Sequence, residues 1–148
     1  MVLLMTGCNP EKENEWSRFY GFSKEDVVGH YEANPDESCY EEYPVENMTT
    51  HHNAKVDVID QGGNIAAIRI VIPNVLNKYF SGVKVGDEGH DCEIIAFPGS
   101  NEELVIDVYK NDKNQVRLHG NIKQFVNTNH TKVDVFDVVK KTEERSKK

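Results

Sequence analysis

The absences in this sequence narrow its reading first. No stretch reaches the ~18 consecutive apolar residues of a bilayer-crossing helix, so any hold on a membrane has to be covalent or peripheral. Cysteine is confined to Cys8, Cys39 and Cys92, and neither a CxxC nor an HxxxH pair occurs, which removes the usual frameworks of a zinc site. Basic side chains number 17 against 25 acidic ones, a net charge of -8. That balance opposes counterion-release binding to nucleic acid or to anionic lipid headgroups, so neutral, cationic or metal-bearing partners are expected. No GxSxG nucleophile motif is present, and Ser100 sits in a Pro98-Gly99 turn. The Gly62-Gly63 pair joins two strand-like runs rather than opening a helix, so it is no phosphate loop. Internal repeats and low-complexity tracts are missing, and so is any ten-residue amphipathic helix between strands, which excludes a parallel α/β fold.

The 148 residues suit one domain, and with 38% hydrophobic residues a modest core is expected. The chain opens Met1-Val2-Leu3-Leu4-Met5-Thr6-Gly7-Cys8, an apolar run closing on small residues before a cysteine, and turns abruptly polar at Asn9-Pro10-Glu11-Lys12-Glu13-Asn14-Glu15. This resembles the lipobox of bacterial lipoproteins. The resemblance implies acylation of the Cys8 thiol and cleavage before it, with Thr6 and Gly7 as the small residues that admit the peptidase. Met5 stands where that family has leucine, and no basic residue precedes the apolar run, so the signal is expected to begin upstream of Met1. Residues 1–7 then read as a truncated signal, 8–15 as a flexible tether, 16–140 as one β-domain and 141–148 as a charged, frayed tail. The competing reading of Cys8 is an unpaired thiol in a frayed terminus. A mature lipoprotein carries more than one acyl chain, and stable attachment needs about two. Acidic residues behind the cysteine also resemble a surface-export signal, which leaves surface exposure and a plain solvated linker as the two readings of the acidic run. Asn9 is not the aspartate that the resemblance associates with inner-membrane retention, so the expected location is the cell envelope, at the outer membrane.

Cys39 and Cys92 form an even pair in a chain expected to enter an oxidising compartment. A disulfide between them would close a loop of about 50 residues, contributing on the order of 4 kcal/mol; two separate buried thiols are the alternative.

Trp16-Ser17-Arg18-Phe19-Tyr20-Gly21-Phe22 concentrates aromatics and suggests a lid or plug, and Ser23-Lys24-Glu25-Asp26 has capping-box spacing for one helical turn. A strand-like Val27–Asn34 stops at Pro35. Residues 35–53 read as an acidic loop carrying Tyr40 and Tyr43, which could hold calcium or stack on a sugar, though no EF-hand spacing exists. Alternation over Lys55–Asp60 and Ile65–Ile72 around Gln61-Gly62-Gly63-Asn64 predicts a hairpin whose inward face carries Val56, Val58, Ile68, Ile70 and Ile72. Val75–Phe80 reads as a helical turn. Cys92–Phe97 reads as a strand, Leu104–Tyr109 and Gln115–Ile122 flank a second turn at Asn111–Asn114, and Lys132–Val139 is the last strand.

Seven or so turn-separated strands predict an antiparallel all-β fold, either a barrel or a sandwich. Val28-Gly29-His30-Tyr31 after a capped turn resembles the first strand of lipocalin-like domains, with Tyr31 where that family has tryptophan, and this implies a small up-and-down barrel. The histidines (30, 51, 52, 90, 119, 130) invite a metal or a general base, but His51 and His52 point to opposite faces of any strand. The best local set, Asp87, His90, Asp91 and Cys92, has no second ligand pair to complete it. Neither a cofactor, a metal nor a catalytic constellation is expected. The function expected is that of a lipid-anchored, non-enzymatic envelope lipoprotein binding a small apolar ligand, a glycan or an envelope protein, with Trp16, Phe19, Tyr31, Tyr40 and Tyr43 as candidate contacts. A structural accessory subunit without a pocket is the alternative.

Overall fold

The computed structural model describes residues 16–35, 48–86, 92–99 and 101–142. Their elements are β1 (Ser17–Arg18), α1 (Lys24–Val27), β2 (Gly29–Ala33), β3 (Met48–His51), β4 (Lys55–Asp60), β5 (Ile65–Ile72), β6 (Leu76–Lys84), β7 (Glu93–Gly99), β8 (Glu102–Lys110), β9 (Val116–Asn127) and β10 (His130–Lys140). The all-β expectation holds: these strands form one ten-stranded sheet.

Two meanders make up that sheet. Strands β4-β5-β6 pair in sequence, as do β7-β8-β9-β10, and β2 joins them by running antiparallel to both β10 and β4. β1 and β7 share the outer edge of β8, one behind the other, and β3 shares an edge of β10 with β2. Both predicted hairpins form, with Val56 opposite Ile70 and Val58 opposite Ile68 in the first, and Val108 opposite Leu118 in the second. Their turns follow from their residues. Gln61 N–H donates to Ile65 O across Gly62-Gly63, while the Asn111 side chain accepts from the N–H groups of Lys113 and Gln115 at 3.0 Å each.

Buried side chains from both meanders, among them Val56, Ile68, Ile70, Phe80, Ile94, Leu104, Ile106, Leu118, Ile122, Phe136 and Val138, form a single apolar cluster. One sheet can achieve this only by curling its inner faces toward each other. Gly120 permits the tightest part of the fit, because a Cβ there would lie 2.8 Å from Phe136 Cζ and 2.9 Å from Ile106 Cγ1. The curl does not close. β6 and β7 approach each other without sharing a ladder, so the closed lipocalin-like barrel expected above is not formed, and nor are the two separate sheets of a sandwich.

Two local expectations need correction. Val75–Phe80 is no helical turn: Pro73 and Asn74, the latter at φ 65°, make a tight reversal closed by Val75 N–H to Ile72 O, and β6 follows. Its period-2 pattern is hidden because an inward position holds Lys78, which pairs with Glu102 at 2.5 Å instead of being apolar. Within the stretch read as a loop, Met48–His51 adds to β10 as the sheet's parallel pairing, too short for any periodic signal. β10 runs to Lys140, and just beyond it Lys141 N–H donates to His30 O at 2.8 Å.

Candidate functional site at the mouth of the sheet

β4, β6, β8 and β10 all finish at one end of the curled sheet, and α1 lies across that end. The Ser23 backbone N–H and hydroxyl both donate to Asp26 Oδ2, at 2.8 and 3.0 Å, so the predicted capping box starts the turn. Lys24 then reaches Asp60 Oδ1 and Gly63 O, each at 2.5 Å, tying α1 to the β4–β5 turn. Asp60 is held below the usual carboxylate range by Lys24 and by the Gly62 N–H. Phe22 is buried in the core, and its carbonyl backs onto Gly86 after β6. Phe22 therefore plugs the mouth, while Tyr20 of the same aromatic segment is exposed.

Beside this plug lies a cleft of about 880 Å³ between α1, the start of β2, the β8–β9 turn and the end of β10. Phe19, Val28 and Val116 supply its apolar surface, and Lys110, Lys113, Lys140 and Lys141 its cationic side chains. Lys110 Nζ stands 4.4 Å from the centre of the Phe19 ring. Lys140 is half-buried and donates to Asp26 O at 2.7 Å; burial holds its ammonium below the usual lysine range. Its stem passes over Gly29, where a Cβ would come within 3.1 Å of Lys140 Cε. His30 borders the cleft, with Nδ1 2.7 Å from Asp57 and Nε2 3.0 Å from Glu32; hydrogen bonding to Asp57, then to Glu32, raises its pKa above the ordinary histidine value.

The sequence-derived candidates are scattered. Phe19 lines the cleft. Tyr31 is shut in the core below it, with its hydroxyl donating to Val27 O at 2.6 Å. Trp16 lies on the opposite, outer face of the sheet, 5.7 Å from the Arg117 guanidinium, which also stacks on Tyr109 at 4.8 Å. Cys8, Cys39, Tyr40, Tyr43, Asp87, His90 and Asp91 lie outside the described residues. Cys92, the described half of the expected pair, accepts from Arg18 Nη1 at 3.8 Å.

On that outer face the strands bury an ionic network. Asp137, with no solvent exposure, accepts from Arg117 Nε at 2.9 Å, Arg117 Nη2 at 2.5 Å and Asn34 Nδ2 at 3.0 Å, and lies 2.8 Å from His119 Nδ1. Burial alone would push this carboxyl up, but His119 and Arg117 together hold it below the usual range. On the other side of β10 from Asp137, His51 Nε2 is 2.9 Å from Asp134. These histidines are each held by a carboxylate and do not converge; among the described residues no three His, Cys, Asp or Glu side chains form a metal site.

Sequence reasoning missed the lysine cluster. It is assembled from the β8–β9 turn and the end of β10, some thirty residues apart, and no local motif links them. No known family model, characterised protein or solved structure was found to match the chain.

Proposed function

We propose that the protein is a lipid-anchored, non-enzymatic lipoprotein of the cell envelope, held at the outer membrane through Cys8, which binds a small ligand at the mouth of its curled meander. The observation that carries the binding half of this reading is the cleft of about 880 Å³ beside the apolar core: apolar side chains line it, and polar groups from four separate segments converge there. The anchoring half is supported by Leu4-Met5-Thr6-Gly7-Cys8 and the polar tether behind it.

One observation favours a second reading, an accessory subunit of an envelope complex. Phe97, Phe125 and Val126, at the hairpin tips remote from the mouth, are 68%, 41% and 61% exposed, a surface suited to a protein partner. Hydrogen–deuterium exchange on the full-length Cys8→Ala chain separates the two. New protection over residues 25–30, 110–116 and 140–142 with a small-molecule extract of the envelope is expected for ligand binding. Protection confined to 97–101 and 124–126, and only with an envelope-protein fraction, would favour the accessory role.

A further inference from the structure

The mouth has a charge character opposite to that of the chain. Against a net charge of -8, four lysines meet there. None of their ammonium groups has a salt-bridge partner among the described residues, whereas Lys24, Lys78, Lys123 and Lys132 all do. Lys55 and Lys84 are the other described lysines without one, so unpaired ammonium groups concentrate in this cleft. Two carboxylates share the rim. Both Glu25 and Asp26 are exposed, and the Asp26 carboxylate also accepts two hydrogen bonds from Ser23. Positive charge therefore outweighs negative, and it lies against the faces of Phe19, Val28 and Val116.

Lysine is costly to collect this way without an anion to offset the mutual repulsion. Lys140, half-buried, donates to Asp26 O and stands 6.0 Å from the centre of the Tyr31 ring, which leaves N–H donors for a further acceptor. An oxyanion seated between Lys140, Lys141 and Lys110 would supply acceptors, and the ligand's remainder would cover the Phe19 surface.

We infer that the mouth cleft recognises an organic oxyanion, a carboxylate or phosphate ester on an apolar body, through Lys110, Lys113, Lys140 and Lys141. This rests on the reading of the cleft as the binding site and adds the chemistry of its ligand. The apolar surface and the concave shape favour a small molecule over a flat anionic membrane.

The test uses the full-length Cys8→Ala chain and three probes of one shape: 2-naphthoate, 2-naphthyl phosphate and the neutral 2-naphthamide, titrated by calorimetry at low salt. One or both anions are expected to bind about tenfold or more tightly than the amide, equivalent to about 1.4 kcal/mol, and the tighter of the two identifies the oxyanion. A chain carrying Lys113→Gln and Lys141→Gln, both exposed positions, is expected to lose most of that preference, its affinity for the anions falling toward that for the amide. If the amide binds as tightly as the anions, the charge inference falls and the mouth remains the site. If none of the probes binds, the mouth reading falls and the inference with it. If phosphatidylglycerol vesicles capture the chain through these lysines while the naphthalene anions do not bind, the cationic end serves a lipid surface and the inference is overturned.

Discussion

Strands β9 and β10 bury both of their faces, by opposite chemistry. Inward they present Leu118, Ile122, Phe136 and Val138 to the apolar cluster. Outward they present Arg117, His119 and Asp137, and Asp137 is as inaccessible as Phe136. The inner face is held by fit, which tolerates exchange of one hydrocarbon for another of similar volume. The outer face is held by pairing, where removing one partner strands the other without solvent. A single strand can thus carry two kinds of fragility, one on each side.

The largest expected effect is on the outer face. Asp137→Ala leaves Arg117 without its carboxylate and should lower unfolding free energy by about 4 kcal/mol, measured by urea denaturation at pH 7. Because the folded Asp137 is held below its ordinary pKa, its contribution is present above the unfolded value near 3.8 and disappears as pH falls through the lower folded value. The wild-type and Asp137→Ala curves should therefore converge in acid.

Gly120→Val is the matching break on the inner face. It drives carbon into Phe136 and Ile106 at contacts that already leave no room for a Cβ, and should cost about 3 kcal/mol. A loss well below 1 kcal/mol would mean that the inner face is looser than described. Tyr31→Phe removes the donor to Val27 O while keeping the ring, with an expected loss of about 1 kcal/mol on the same urea measurement.

The smallest effect belongs to His30, which is 45% exposed, so solvent screens its pairs with Asp57 and Glu32. Its raised pKa places its contribution below the unfolded value of 6.5, to be lost as pH rises through the higher folded value. The stability gap between wild type and His30→Ala should be a few tenths of a kcal/mol at pH 5.5 and near zero at pH 8.5.

The two faces also differ in how far sequence reveals them. The inner face is written in alternation, and Val56, Val58, Ile68, Ile70 and Ile72 are buried as their pattern predicts. Their turns were equally legible, since Gly62-Gly63 and Asn111–Asn114 fix their own backbones. Alternation also places Arg117 and Asp137 outward, but it cannot tell that outward here means buried, because the pairing joins neighbouring strands 20 residues apart in sequence. Where a charge points inward, as Lys78 does toward Glu102, the pattern misleads. The sheet's opening between β6 and β7 depends on long-range curvature and leaves no local mark. The mouth was half legible: Phe19 and the capped turn were visible, while the lysines gain meaning only when β8, β9 and β10 end side by side.

Cys8 bears most directly on the proposed role, since an anchor confines whatever the mouth binds to the envelope. The decisive measurement is intact mass with membrane fractionation of the full-length chain beside its Cys8→Ala variant. The wild-type chain is expected to begin at Cys8, to carry the mass of its acyl chains and to sediment with membranes, while the variant is unmodified and soluble. A wild-type chain that is unmodified and wholly soluble would contradict the account.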